Sequence, residues 1–344
     1  MSYYSKQQLM LTFSAMAYFG SALPGTDKSN EKKIFAHLQR ALQSWKPVKD
    51  QWEVVWGPAV FSLPGTWFDD SMMYVVRNLK QPEKYVVAIR GTNPVSIPNA
   101  VIWNLQVREL EDWPFGESVG WQPKLSRSTY FGLSILQALR PAKELPGGRQ
   151  TLQEFFAKNL PKDVSADICF TGHSLGGVLA STLALWMKDL QGKQFPKDAK
   201  VSTVTIAAPT AGDTDFARYS NQRFAKGECL RIANAKDVVP HAWNVESLLQ
   251  LYGLYLPYTF PDPFLAFFLM GIIGRALGKG YTQLEEAEIQ PGETQKLLPL
   301  YPLQALYQHS VAYVKLMDML EDIPLEELFP EPLHKLVRSV IRVL

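Results

Sequence analysis

The stretch DICFTGHSLGGVLAS, residues 167–181, decides how the rest of the chain is read. An apolar run, Ile168 to Phe170, meets Gly172-His173-Ser174-Leu175-Gly176. Beyond it Leu175, Val178, Leu179, Leu183 and Leu185 or Trp186 recur at helical spacing. About one chain in ten of this length carries Gly-x-Ser-x-Gly by chance. The flanking elements therefore carry the inference, not the pentapeptide. Strand, sharp turn and helix are the setting in which a serine is held up as a nucleophile at a helix N-terminus. Gly172 and Gly176 lack a Cβ, so strand and helix can cross closely there. The amides that follow Ser174, and the positive end of the helix dipole, would face an oxyanion. The alternative is a structural glycine turn without chemistry.

Outward from this turn, short β-branched and aromatic runs predict strands at 52–61, 71–79, 84–92, 166–172, 200–209 and 229–234. Helical patterns fall near the N-terminus and at 31–44, 128–140, 150–160, 175–190 and 213–222. The later strands are almost continuously apolar and alternate with helices. That pattern predicts an α/β fold with a largely parallel sheet covered on both faces, and a site at the carboxyl ends of the strands. With no repeat, low-complexity tract or linker, residues 1–344 read as one domain.

Composition excludes several classes. The chain is 47% hydrophobic and 20% charged with a formal net charge of +2, which marks a globular protein without the basic surface of a nucleic-acid binder. Two cysteines, Cys169 and Cys229, lie in apolar strands, where free thiols are expected, and too few soft ligands remain for a structural zinc. Residues 9–23 read as a first helix rather than a cleaved signal, being diluted by Thr12 and Ser14 and preceded only by Lys6. The chain therefore reads as intracellular, or exported without a recognisable cleaved signal. Residues 251–274 hold one charge, Asp262, but Pro257, Pro261 and Pro263 break the run, so no transmembrane segment is expected.

A serine hydroxyl needs a base. With this turn the order along the chain is serine, acid, histidine, which leaves His241, His309 and His334. For the acid, "CLRIANAKDVVPH" (229–241) ends a strand near Asn234 and places Asp237 in the loop beyond it. Asp213 and Asp215 fit better as caps of the helix that starts there. His241 follows Asp237 too closely to lie between that acid and Ser174. The expected base is His309, 72 residues beyond Asp237.

Several segments, in order, resemble the class 3 (fungal-type) lipases of the α/β-hydrolase superfamily. These are "FSAMAYFG" (13–20), "VVAIRGTNP" (86–94), the elbow Gly172–Gly177, "VTIAAPTAGD" (204–213) with "FARYSNQ" (216–222), and "RIANAKDVVPH" (231–241). The resemblance covers roughly residues 9–313. It implies an α/β-hydrolase fold, a triad of Ser174, Asp237 and His309, and an oxyanion hole formed by Thr92 and the amide of Leu175. It implies hydrolysis of carboxylic esters of acyl lipids, triacylglycerol foremost, at a lipid–water interface, with no metal or organic cofactor. A phospholipase A1, a feruloyl-type esterase or an acyltransferase would use the same triad; a silent lipid- or partner-binding domain would not need all three residues. Tyr130 stands where the family usually has a histidine, which is expected to be structural.

Residues 96–113 occupy the family's lid position. Asn99 is a candidate N-cap, Val101, Ile102, Trp103 and Leu105 supply an apolar side, and Glu109, Glu111 and Asp112 a polar one. Residues 251–300 form an apolar insertion between acid and base. Its segment 251–278 is expected to be a buried core helix, with an acyl-pocket wall or a lipid-facing surface as the alternatives.

Overall fold

A computed structural model describes residues 4–21, 23, 28–62, 71–91, 107–116, 120–161, 165–259 and 263–328. In chain order the helices are α1 (Lys6–Met16), α2 (Lys28–Ser44), α3 (Arg127–Ala138), α4 (Leu152–Asn159), α5 (Leu175–Asp189), α6 (Thr214–Arg223), α7 (Val245–Leu248), α8 (Pro263–Ala276), α9 (Tyr301–His309) and α10 (Val311–Leu316). The strands are β1 (Trp52–Phe61), β2 (Ser71–Asn78), β3 (Lys84–Ile89), β4 (Leu110–Asp112), β5 (Lys124–Ser126), β6 (Asp167–His173), β7 (Lys200–Ile206), β8 (Gly212–Asp213), β9 (Cys229–Asn234), β10 (Tyr281–Thr282) and β11 (Ala287–Gln290).

Among the described residues the main sheet runs β1-β2-β3-β6-β7-β9-β11. β1, β2 and β3 pair antiparallel, while β3, β6, β7, β9 and β11 pair parallel. Strands joined by a short connection can only reverse; those separated by a helix can run parallel. The pleat sorts the core. Met73, Val75, Ile168 and Phe170 face a cluster completed by α3, α4 and α5, whereas Met72, Tyr74, Val76 and Cys169 face α1, α2 and α10. Both faces are therefore covered, and the strands read as continuous apolar runs for that reason. Cys169 and Cys229 are free and buried. Burial raises both thiols, Cys229 to about 12.

Three features depart from the sequence reading. Residues 92–106, with Thr92 and most of the expected lid, lie outside the described residues. The described end of that segment corrects the helix expected through residue 113. Leu110–Asp112 is strand β4, paired antiparallel with β5. Glu109 and Glu111 meet Arg127 across this ribbon rather than forming the polar side of a helix, and the Trp113 indole donates to Asp189 at 2.8 Å. Residues 263–276 are helical, yet the expectation of a buried core helix is overturned. Leu269, Ile272 and Ala276 pack on Trp243, Leu248 and Leu251, while Phe267, Phe268 and Met270 are exposed. A helix apolar on every side gives no period from which its inward face can be read. Finally, β11 and the four-stranded ribbon β10-β8-β5-β4 were not expected from sequence; strands of two to four residues are too short to show an alternation. No described helix is long and apolar enough to cross a membrane.

Candidate active site

The turn after β6 has the backbone that its glycines anticipate. Ser174 sits at φ 60°, ψ −131°, a region that a residue with a Cβ rarely enters. Its amide donates to the Ile206 carbonyl at 2.9 Å, and its own carbonyl accepts from the Gly177 amide at 2.9 Å. A Cβ on Gly172 would stand 2.3 Å from the Gly176 carbonyl oxygen, and one on Gly176 would stand 2.4 Å from that of Ile89. Neither main chain can yield, so glycine is required at both. Gly91 runs against the same turn: a Cβ there would meet the His173 carbonyl at 2.4 Å. Leu175 is the first residue of α5, where helix amides have no intrahelical acceptor.

His309 closes α9, and its ring lies between the other two residues. Nε2 is 2.8 Å from Ser174 Oγ, and Nδ1 is 2.9 Å and 3.1 Å from the two carboxylate oxygens of Asp237. The structure thus brings Ser174, Asp237 and His309 together across 135 and 72 residues of chain. Because a carboxylate only accepts, Nδ1 carries a proton and Nε2 is left to accept from the serine. Asp237 is completely buried. Its oxygens also accept from the Val239 amide at 3.0 Å and the Tyr313 hydroxyl at 2.8 Å. A buried carboxylate is tolerable only when satisfied in this way.

The remaining candidates lie elsewhere. Asp213 caps α6, accepting from the Phe216 amide at 2.8 Å, and burial raises its carboxyl. His241 ends the short 3-10 turn Val239–His241, and burial lowers it. His334 and Thr92 are outside the described residues. Tyr130 packs from α3 against the core. Among the described residues no group of three His, Cys, Asp or Glu side chains is placed to hold a metal.

Several residues that sequence reasoning passed over brace the site. Tyr313, on α10, accepts from the Asn234 amide at 2.9 Å while donating to Asp237. The Asn234 side-chain amide donates to the Gln308 carbonyl at 3.1 Å and to the Gln308 side-chain oxygen at 2.8 Å, so the end of β9 grips the residue before His309. His173 spans from the turn after α1 to His309. Its Nε2–H donates to the His309 carbonyl at 2.6 Å, and its Nδ1 accepts from the Tyr18 hydroxyl at 2.9 Å. Burial, and the second imidazole beside it, push His173 down to about 3, so it stays neutral. Arg90, also buried, donates to the Ala17 carbonyl at 2.8 Å and the Phe19 carbonyl at 2.6 Å. Tyr18 and Arg90 sit within motifs quoted above. Asn234 does too, at the end of the strand before the acid loop; for Tyr313 and Gln308 no local pattern marks the role.

A family model for class 3 lipases matches residues 86–246. M37 lipase, known from a crystal structure, is 40% identical to this chain with a TM-score of 0.92, over 98% of this chain and 100% of that one. The LIP2 lipase of Yarrowia lipolytica is 15% identical with a TM-score of 0.51, over 83% of this chain and 79% of that one, a likeness of fold alone. No curated protein matches. With near-complete coverage at that identity, and the family's model lying across the elbow and the acid loop, this chain belongs to the class 3 lipase family and has the α/β-hydrolase fold.

Proposed function

We propose that the protein hydrolyses carboxylic esters of acyl lipids, triacylglycerol foremost, through an acyl-enzyme on Ser174. Ser174 Oγ attacks the ester carbonyl and passes its proton to His309 Nε2. Asp237, bound to Nδ1–H, holds that tautomer and stabilises the imidazolium. The oxyanion accepts from the amide of Leu175 and, by the family resemblance, from Thr92. His309 then protonates the departing alcohol, leaving the acyl group on Ser174. Water, deprotonated by His309, attacks in turn, and the acid leaves as Ser174 regains its proton.

One observation carries this reading: an imidazole within 2.8 Å of a strained serine and 2.9 Å of a buried carboxylate. Ser174→Ala is expected to abolish hydrolysis of p-nitrophenyl esters and labelling by a fluorophosphonate, with the circular dichroism spectrum unchanged; undiminished turnover would refute it. Asp237→Asn should lose about 10⁴ in kcat, whereas His241→Ala should stay close to wild type. Lipid preference is read by comparing emulsified long-chain triacylglycerol with soluble short-chain esters.

A further inference from the structure

We infer that the exposed face of α8, together with the exposed leucines of the helix that ends in His309, seats the protein on an uncharged lipid surface. The choice of occupant rests on the reading of Ser174 as the nucleophile of an acyl-lipid hydrolase.

At 100° per residue Phe267, Met270, Gly271 and Gly274 fall opposite Leu269, Ile272 and Ala276. The second set is buried against Trp243, Leu248 and Leu251. The first looks outward: Phe267 is 76% exposed and Met270 63%, and Leu277 just beyond the helix is 65% exposed. A Cβ built on Gly271 or Gly274 meets nothing within 4 Å, so among the described residues nothing packs over these two positions. Apolar surface on this scale marks an interaction site rather than ordinary exterior.

The packed side of α8 connects to the helix that carries His309. α8 rests on the turn Leu251–Gly253, whose Leu251 carbonyl accepts from the Tyr301 hydroxyl at 2.8 Å. Tyr301 also packs against Tyr255, with ring centroids 4.7 Å apart and the planes tilted by 52°. Tyr301 opens α9, which presents Leu303 and Leu306 to solvent before it ends at His309. α8 and the element that carries the base are thus joined by packed side chains, and each exposes apolar side chains of its own.

Charge selects the occupant. Between Asn244 and Leu306 the chain has three cationic side chains, Arg275, Lys279 and Lys296, against six carboxylates. Nothing there would draw in anionic headgroups. A helix of 14 residues is about 21 Å long, short of the ~30 Å hydrocarbon core, so α8 would lie in the surface rather than span it.

The test is flotation of the full chain with triolein droplets coated with phosphatidylcholine, beside turnover of soluble p-nitrophenyl butyrate. The variant is Phe267→Gln/Met270→Gln/Leu277→Gln; glutamine keeps helix propensity while removing on the order of 100 Å² of apolar contact at each position. Droplet affinity should fall about tenfold or more, turnover of the soluble ester should change less than about twofold, and wild-type binding should survive high salt. Leu79→Gln, at the sheet end away from Ser174, should bind like wild type. Equal binding by the triple variant and wild type would overturn the inference. So would equal losses on soluble and droplet substrates, or a wild-type dimer that the variant splits. A wild-type protein inert toward the soluble ester would sink the hydrolase reading instead, while droplet binding would still decide this one.

Discussion

Removing the Tyr313 hydroxyl separates bracing of the triad from chemistry at it. Tyr313→Phe deletes a single oxygen that makes two buried bonds, one given to Asp237 at 2.8 Å and one taken from the Asn234 amide at 2.9 Å. The first is charge-assisted, worth about 1.5–3 kcal/mol, and the second leaves a buried N–H unsatisfied at about 1–3 kcal/mol. Tyr313 and Asp237 are both completely buried, so water cannot replace the lost partner without rearrangement. A loss of roughly 3–5 kcal/mol in stability is expected, or a fall in Tm of about 4–7 °C. The carboxylate keeps the Val239 amide and both contacts to His309. Turnover of p-nitrophenyl butyrate well below the transition should therefore fall by no more than about tenfold, far less than for Asp237→Asn. Urea denaturation and initial rates on one preparation check both halves. A 10⁴-fold loss of kcat with unchanged stability would show that the hydroxyl acts in the chemistry itself, and unchanged values of both would show that the two bonds contribute nothing.

Gly172→Ala should destabilise by about 3 kcal/mol or more and abolish activity, because its Cβ would meet only main-chain atoms, at 2.3–2.8 Å. Gly177→Ala should be milder, its nearest neighbour being the Ala208 Cβ at 2.9 Å; a chemical denaturation series ranking the two the other way would contradict the packing at the elbow. His173 bears on pH dependence. Unfolded, it takes a proton as pH falls through about 6.5; folded, it does so only at about 3, so stability present at neutral pH is lost as pH falls across that window, by up to about 1.4 kcal/mol per unit. His173→Gln should flatten that dependence when urea midpoints at pH 7 and pH 5 are compared, and an unchanged slope would remove His173 as its source.

What a residue's near neighbours decide was legible from the chain alone. Strand and helix positions follow from local periodicity, and the elbow follows from two glycines flanking a serine where a strand gives way to a helix. The order of the motifs then pointed to Asp237 and to a histidine far beyond it. Tertiary structure decided what depends on distant chain. His309 reaches Ser174 because Gln308 is held by Asn234, a contact across 74 residues in which Gln308 carries no local mark. Tyr313 is one tyrosine among 14 until folding sets it on a buried carboxylate. In α8 every face is apolar, so periodicity carries no direction; only the packing of Leu269, Ile272 and Ala276 settles which side meets the core and which is left to solvent. Hydrophobicity is read residue by residue, but burial belongs to the assembled molecule.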